Sequence, residues 1–165
     1  MDGPITIIDH RGVHPQNLNI AIREQQLFKE GRFRELGKHN SIFVFGSNEA
    51  GCHGAGAARY AEQYLGAVMK VGNGPTGLCY ALPTKSMTIR KLPLYVVQRY
   101  VDQFIRYAED NPGLTFKVTQ IGCGLAGFTP ADIAPYFIKS PSNCFFDLAW
   151  EEFLPSTAKF WGTVP

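Results

Sequence analysis

Three short segments of this chain carry the residue types best suited to chemistry on an anionic ligand. The first runs from Ile42 to Ala58 (IFVFGSNEAGCHGAGAA), and the second from Phe116 to Phe128 (FKVTQIGCGLAGF). In each, an apolar run gives way to glycines before a helix start. Backbone N–H groups can then approach an anion closely, and the helix N-terminus adds favourable partial charge. Two such loops can clamp one pyrophosphate between them. The third segment, lying between them in sequence, ends in Pro83, Thr84 and Lys85. A lysine acting as nucleophile must be partly neutral, which requires burial or a neighbouring positive charge. Arg90 and Lys91 are candidates for that charge. Alternatively, a protonated Lys85 neutralises a phosphate.

In the first loop Gly46, Ser47 and Asn48 are followed by Gly51, His53, Gly54, Gly56 and Ala57. Close helix–sheet packing explains the glycines and alanines without any ligand, but not the two polar residues set among them. Asn48 either holds the loop's shape through side-chain to backbone bonds or binds a ribose hydroxyl. His53 either donates to a phosphate or is simply exposed. The second loop (Gly122, Cys123, Gly124, Leu125, Ala126, Gly127 and Phe128) contains G-x-G-x-x-G, a dinucleotide fingerprint that belongs to the first strand–helix unit of its fold. Only 38 residues follow Gly127, too few for the remaining strands of a Rossmann dehydrogenase. No G-x-x-x-x-G-K-[ST] occurs, so there is no P-loop.

The elements that must position these loops can be read from periodicity. Ile42 to Phe45 reads as an interior strand of a parallel sheet, Ala55 to Leu65 as a helix stopped by Gly66, and Ala67 to Met69 as a short strand. Val71 to Gly77 reads as an irregular loop, and Leu78 to Leu82 as a buried strand ended by Pro83. After Pro93, a residue suited to a first helical turn, apolar residues recur every three or four positions from Val96 to Ala108. This is the clearest amphipathic helix of the chain, and Asn111, Pro112 and Gly113 end it. Leu114 to Ile121 reads as a strand and Asp132 to Ile138 as a short helix. Residues 1–40 read as a more polar N-terminal extension, with a strand candidate at Ile5 to Asp9 and a helical stripe from Asn17 to Phe33. Residues 139–165 form an aromatic tail expected to pack back onto a single domain. Strand–helix alternation of this kind points to a parallel or mixed sheet covered on both faces. Both glycine loops and Lys85 then fall at strand carboxyl ends, where such folds bind ligands.

Composition narrows the class. With 165 residues, 45% hydrophobic and 18% charged, the chain is long enough to bury one sizeable core. A net charge of +2 with no long basic cluster gives no general argument for nucleic-acid binding. No apolar stretch approaches the ~20 residues of a spanning helix, and the N-terminus lacks a signal-peptide pattern, so a cytoplasmic location is expected. Cys52, Cys79, Cys123 and Cys144 are spaced by 27, 44 and 21 residues, without the C-x-x-C pairs of a zinc site, and no metal is expected.

Taken in order, the Gly46 loop, the run Tyr80 to Lys85 and the Ile121 to Phe128 loop resemble the macrodomains over about residues 42–138. The chain looks closest to small bacterial and phage macrodomain-like proteins, and nearest to the ADP-ribosyl glycohydrolase branch. The resemblance implies a three-layer α/β/α sandwich with a mixed, largely parallel sheet that binds ADP-ribose or a related NAD-derived nucleotide without a cofactor. By position, Gly46, Ser47, Asn48, Gly51, Gly54, Gly56 and Ala57 match the first ligand loop, and Gly122 to Phe128 match the diphosphate loop. Lys85 matches the lysine that attacks or activates C1″ of the distal ribose, with ADP-ribosylated protein or nucleic acid as its targets. Where the protein-directed glycohydrolases carry an aspartate this chain has Ala126, and the DNA-directed branch has a small residue there. Binding without turnover is the alternative that the resemblance allows.

Overall fold

The apolar run from Ile42 to Phe45 lies near the centre of a six-stranded sheet. The computed structural model describes residues 41–162; the strand and helix expected within residues 1–40 lie outside the described residues. In chain order the elements are β1 (Ser41–Asn48), α1 (Gly56–Tyr64), β2 (Gly74–Thr76), β3 (Cys79–Lys85), α2 (Leu94–Asp110), β4 (Thr115–Val118), α3 (Pro130–Ile133), β5 (Cys144–Asp147) and β6 (Lys159–Gly162). Single 3-10 segments cover Ala134–Phe137 and Leu148–Phe153. The strand order is β2-β3-β1-β4-β5-β6, parallel throughout except for the antiparallel edge strand β2.

Alternation along the central strands sorts the core into two clusters. Phe43, Phe45, Cys79 and Ala81 pack with Ala58, Ala61 and Tyr64 of α1. Val44, Tyr80, Leu82, Phe116 and Val118 pack instead with Val97, Val101, Phe104, Ile105 and Ala108 of α2. Successive strand residues point to opposite faces, so a strand apolar at every position can fill both clusters. In the second cluster Phe104 meets Tyr80 and Phe116 edge-on, with ring centroids 5.1 and 5.2 Å away. Such pairs add about 0.5–1.5 kcal/mol each beyond their buried area.

Local chemistry sets the helix ends. Pro93 caps α2 with φ −59°, one position before the helical turn expected for it, and Asn111 closes the other end with its side-chain N–H on the Tyr107 carbonyl at 2.8 Å. Thr129 and Asp132 form a reciprocal capping box at the start of α3, with Pro130 in the first turn.

Four expectations need correction. Ala67 to Met69 is not a strand: Gly66 turns the chain at φ +79°, and the Val68 N–H is taken by Thr76 Oγ1 at 2.8 Å. The stretch expected as loop supplies β2, which pairs Gly74 to Thr76 with Ala81 to Cys79. β3 runs through Pro83 rather than ending there. β2 reaches no further than Ala81, and the β1–β3 register shifts at Ser47/Asn48, so the missing N–H falls where the ladder is already interrupted. β4 stops at Val118: the Thr119 N–H makes the last ladder bond, to the Val44 carbonyl at 3.1 Å, and the Ile121 N–H then turns back onto the Thr119 carbonyl at 2.7 Å. Residues 139–162 add β5 and β6 to the sheet. They also bury Phe146 and Trp150 in the core.

Candidate functional site

The carboxyl ends of β1, β3 and β4 open onto one cleft of about 680 Å³, within the ~300–1,000 Å³ usual for small-molecule sites. β1 contributes Gly46, Ser47 and Asn48; the first loop and the start of α1 contribute Cys52, Gly54 and Ala55 to Ala58. β3 contributes Thr84 and Lys85, and the segment after it Ile89. The end of β4 and the second loop contribute Thr119, Gln120 and Gly122 to Ala126. A second hollow, of about 80 Å³ beneath the tail, is too small for a nucleotide.

Contact between the loops accounts for some of the glycines and leaves others unexplained by packing. A Cβ on Gly46 would lie 3.3 Å from the Gly122 nitrogen, so the two loop backbones touch there. Gly122 has φ +74°, and a Cβ on it would lie 3.0 Å from the Phe128 ring. Gly54 and Gly124 differ from these. Neither is in the left-handed region, and a Cβ on either would meet no described residue within 4 Å. Both line the cleft.

Unpaired donors collect on the same walls. In the second loop the N–H groups of Cys123, Gly127 and Phe128 close turns onto the carbonyls of Gln120, Gly124 and Gly122. Those of Gly124, Leu125 and Ala126 have no acceptor among the described residues. Across the cleft, α1 begins at Gly56 with no side-chain cap and no acidic residue in its first turn. Its first N–H groups are left without intrahelical partners.

The side chains divide between shaping the cleft and facing a ligand. Asn48 donates from Nδ2 to the Cys52 carbonyl at 2.8 Å and accepts the Cys52 N–H on Oδ1 at 2.9 Å, which is the loop-shaping role. Thr84 Oγ1 donates to the Ser47 carbonyl at 3.3 Å, tying β3 to β1 at the cleft floor. The register shift sets Lys85 opposite Asn48. Half-buried, its ammonium has no hydrogen bond or ion pair with any described residue. No described residue lining the cleft is Asp or Glu. Burial pushes the Cys123 thiol up to about 11, with Asp132 and Asp147 adding to the shift and the Trp150 indole opposing it.

Several residues named from sequence lie elsewhere. His53 is 2% exposed and sits beneath its loop, with Nε2 3.2 Å from the Val71 carbonyl, Nδ1 3.7 Å from Glu62 Oε2 and its ring edge-on to Phe45. It is neither exposed nor a wall of the cleft. Gly51 is a packing glycine: at φ +72°, its Cβ would fall 2.2 Å from the Lys70 carbonyl carbon. Gly127 and Phe128 do not line the cleft: Gly127 is exposed, and Phe128, 5% exposed, belongs to the core. Lys91, a candidate neighbour for Lys85, directs its ammonium to the Gly127 carbonyl at 3.4 Å and over the Phe128 ring at 4.3 Å.

Sequence reasoning missed Cys52, Ala55, Ala58, Ile89, Thr119 and Gln120 as cleft residues. Thr119 and Gln120 were findable as the last residues before a loop at a strand carboxyl end; nothing in the pattern marks Ile89. Among the described residues no cluster of His, Cys, Asp or Glu is arranged to hold a metal, and no helix is long and apolar enough to cross a membrane. No family model, curated protein or solved structure matches the chain.

Proposed function

We propose that this cleft binds ADP-ribose or a related NAD-derived nucleotide, its diphosphate held between the two glycine loops. The observation that carries the reading is the pairing of two sets of backbone N–H groups, one on each loop, across a cleft with one described lysine, all without partners among the described residues. Such donors and a cation suit a diphosphate. Gly54 and Gly124, which packing does not require, let its oxygens approach the backbone. The resemblance of the three segments to macrodomains supplies the ribose-bearing part of the proposal. It also suggests that the mostly parallel sheet, with α1 and α2 packed on separate clusters, is a three-layer sandwich of that kind. ADP-ribosylated protein or nucleic acid are the partners that would present such a group.

A second reading, hydrolysis of an ADP-ribosyl linkage, is favoured by the free Lys85 amine at the cleft. When neutral, Nζ would bond to C1″ of the distal ribose as the bond from C1″ to the modified group breaks and that group takes up a proton. Water would then release ADP-ribose and the amine. With Ala126 on the opposite loop, the described walls supply no carboxylate to assist the second step. Binding is therefore the better-supported activity.

Thermal unfolding tests the reading. A ligand at 100 times its Kd stabilises the folded state by about 2.7 kcal/mol, roughly a 5–11 °C rise in Tm for a chain of this size. No shift with ADP-ribose, with cyclic ADP-ribose variants or with NAD defeats the proposal. Incubating wild type and Lys85→Ala with ADP-ribosylated protein and DNA separates the two readings. Turnover lost while ADP-ribose binding persists assigns the lysine a chemical role; equal loss of both assigns it to binding.

A further inference from the structure

Ile89 holds φ at +61°, a left-handed conformation that a β-branched residue rarely adopts. The tight turn after β3 places it there. Ser86 N–H donates to the Arg90 carbonyl at 2.7 Å and Ile89 N–H to the Ser86 carbonyl at 3.0 Å, while Ser86 Oγ accepts from the N–H groups of Thr88 and Arg90 at 3.2 and 3.3 Å. Glycine or asparagine would fit this position with little strain. The isoleucine does not serve the core either, since it is 44% exposed and lines the cleft. Leu125, on the second loop, is 75% exposed and lines the same cleft. Lys91, at the foot of the turn, reaches the Gly127 carbonyl at 3.4 Å. That contact joins the two segments that carry Ile89 and Leu125.

We propose that Ile89 and Leu125 form a ring-binding subsite, in which an uncharged heteroaromatic base carried by the nucleotide lies flat against both side chains. The inference rests on the nucleotide reading of the cleft and adds which walls take the base. Flat base faces bury apolar area without asking for hydrogen bonds, as two aliphatic side chains require. The base is either the nucleotide's own adenine or one linked to its distal ribose, and the choice of probe distinguishes them.

The test is calorimetric titration of wild type, Ile89→Asn and Leu125→Ser with three probes: inorganic pyrophosphate, ADP-ribose and an ADP-ribosylated DNA oligonucleotide. Asparagine tolerates the left-handed region, so Ile89→Asn keeps or raises Tm. Each variant loses about five- to tenfold in affinity for the base-bearing probes, the scale of one partly buried aliphatic side chain, and Ile89→Asn binds pyrophosphate as wild type does. A loss already present with ADP-ribose identifies adenine; a loss confined to the oligonucleotide identifies the linked base. Base-bearing probes bound within twofold of wild type by both variants overturn the subsite. An equal loss for pyrophosphate overturns it too, since the loop itself has then been disturbed. A wild type that binds none of the three defeats the nucleotide reading itself, and the subsite with it.

Discussion

Replacing Gly122 and Gly124 separately by alanine distinguishes a glycine the fold requires from one the cleft requires. At Gly122, φ +74° costs an L-residue about 1–2 kcal/mol. The added Cβ would also lie 3.0 Å from Phe128 Cδ2 and 3.3 Å from Thr84 Cγ2. Phe128 and Thr84 are both buried, and overpacking of this kind costs roughly 1–3 kcal/mol. Restricting the unfolded chain returns about 0.4–1 kcal/mol. The net loss is then about 1–5 kcal/mol, or a Tm lower by roughly 2–20 °C. At Gly124 neither the φ penalty nor the clash applies, so stability is unchanged or higher by up to about 1 kcal/mol. Its methyl group would instead stand on the cleft wall among the unpartnered N–H groups, and ADP-ribose affinity should fall at least about tenfold, or ~1.4 kcal/mol. Circular-dichroism melts and calorimetric titration read the two quantities independently. The reasoning is refuted if Gly124→Ala unfolds as easily as Gly122→Ala, or if it binds ADP-ribose as tightly as wild type.

Two further outcomes are expected. Cys52 is exposed, Cys79 and Cys144 are buried, and burial pushes the Cys123 and Cys144 thiols up to about 11 and 12. Iodoacetamide near neutral pH should therefore alkylate Cys52 first, and ADP-ribose should slow it, because Cys52 lines the cleft; peptide mass spectrometry that finds Cys123 labelled first contradicts this. Backbone and side-chain hydrogen bonds from Thr129 hold the Asp132 carboxyl below its ordinary value. A carboxyl with a depressed folded-state pKa contributes stability above the ordinary carboxylate value and loses it as pH falls through the folded one. Thr129→Ala removes the side-chain bond but keeps the larger backbone one, so it should move the Asp132 titration only part of the way back toward the ordinary range and slightly shallow the acid limb of the stability curve. Carbon-detected NMR titration checks the first effect, and urea melts between pH 2 and 5, a range set by ordinary carboxylate titration, check the second.

How much of this was legible in the sequence depended on whether one local signal decided the element. β1 and α2 were plain, because an unbroken apolar run and a three-to-four-residue repeat each have one reading. So was the convergence of both loops and Lys85, which follows from parallel strands sharing a carboxyl edge. β2 was hidden because Gly74 and Pro75 read as breakers, and they are tolerated only because the strand lies at an edge. Pro83 misled for the related reason that its missing N–H coincides with a register shift that pairing alone reveals. The tail's aromatics announced burial without saying that Phe145 and Phe146 would lie on a strand. Within the site, Asn48 could shape or bind, and only its two bonds to Cys52 show that it shapes the loop. His53 looked like a ligand group because it stands among glycines, yet the Gly51 turn drops it beneath the loop against Glu62 and Val71.

The strand order carries a consequence for how a ligand would act on the molecule's motions. Asn48, Lys85 and Gly122 hang from the ends of β1 and its two neighbours, so the cleft exists only when both inner ladders are closed. An opening that frays β6 alone leaves every one of those ends in place. Hydrogen exchange should show the difference: bound nucleotide slows amides of the three inner strands together and leaves the outermost strand at its own pace. In such a sheet the ligand acts as a keystone for the middle, and the margins remain free to breathe.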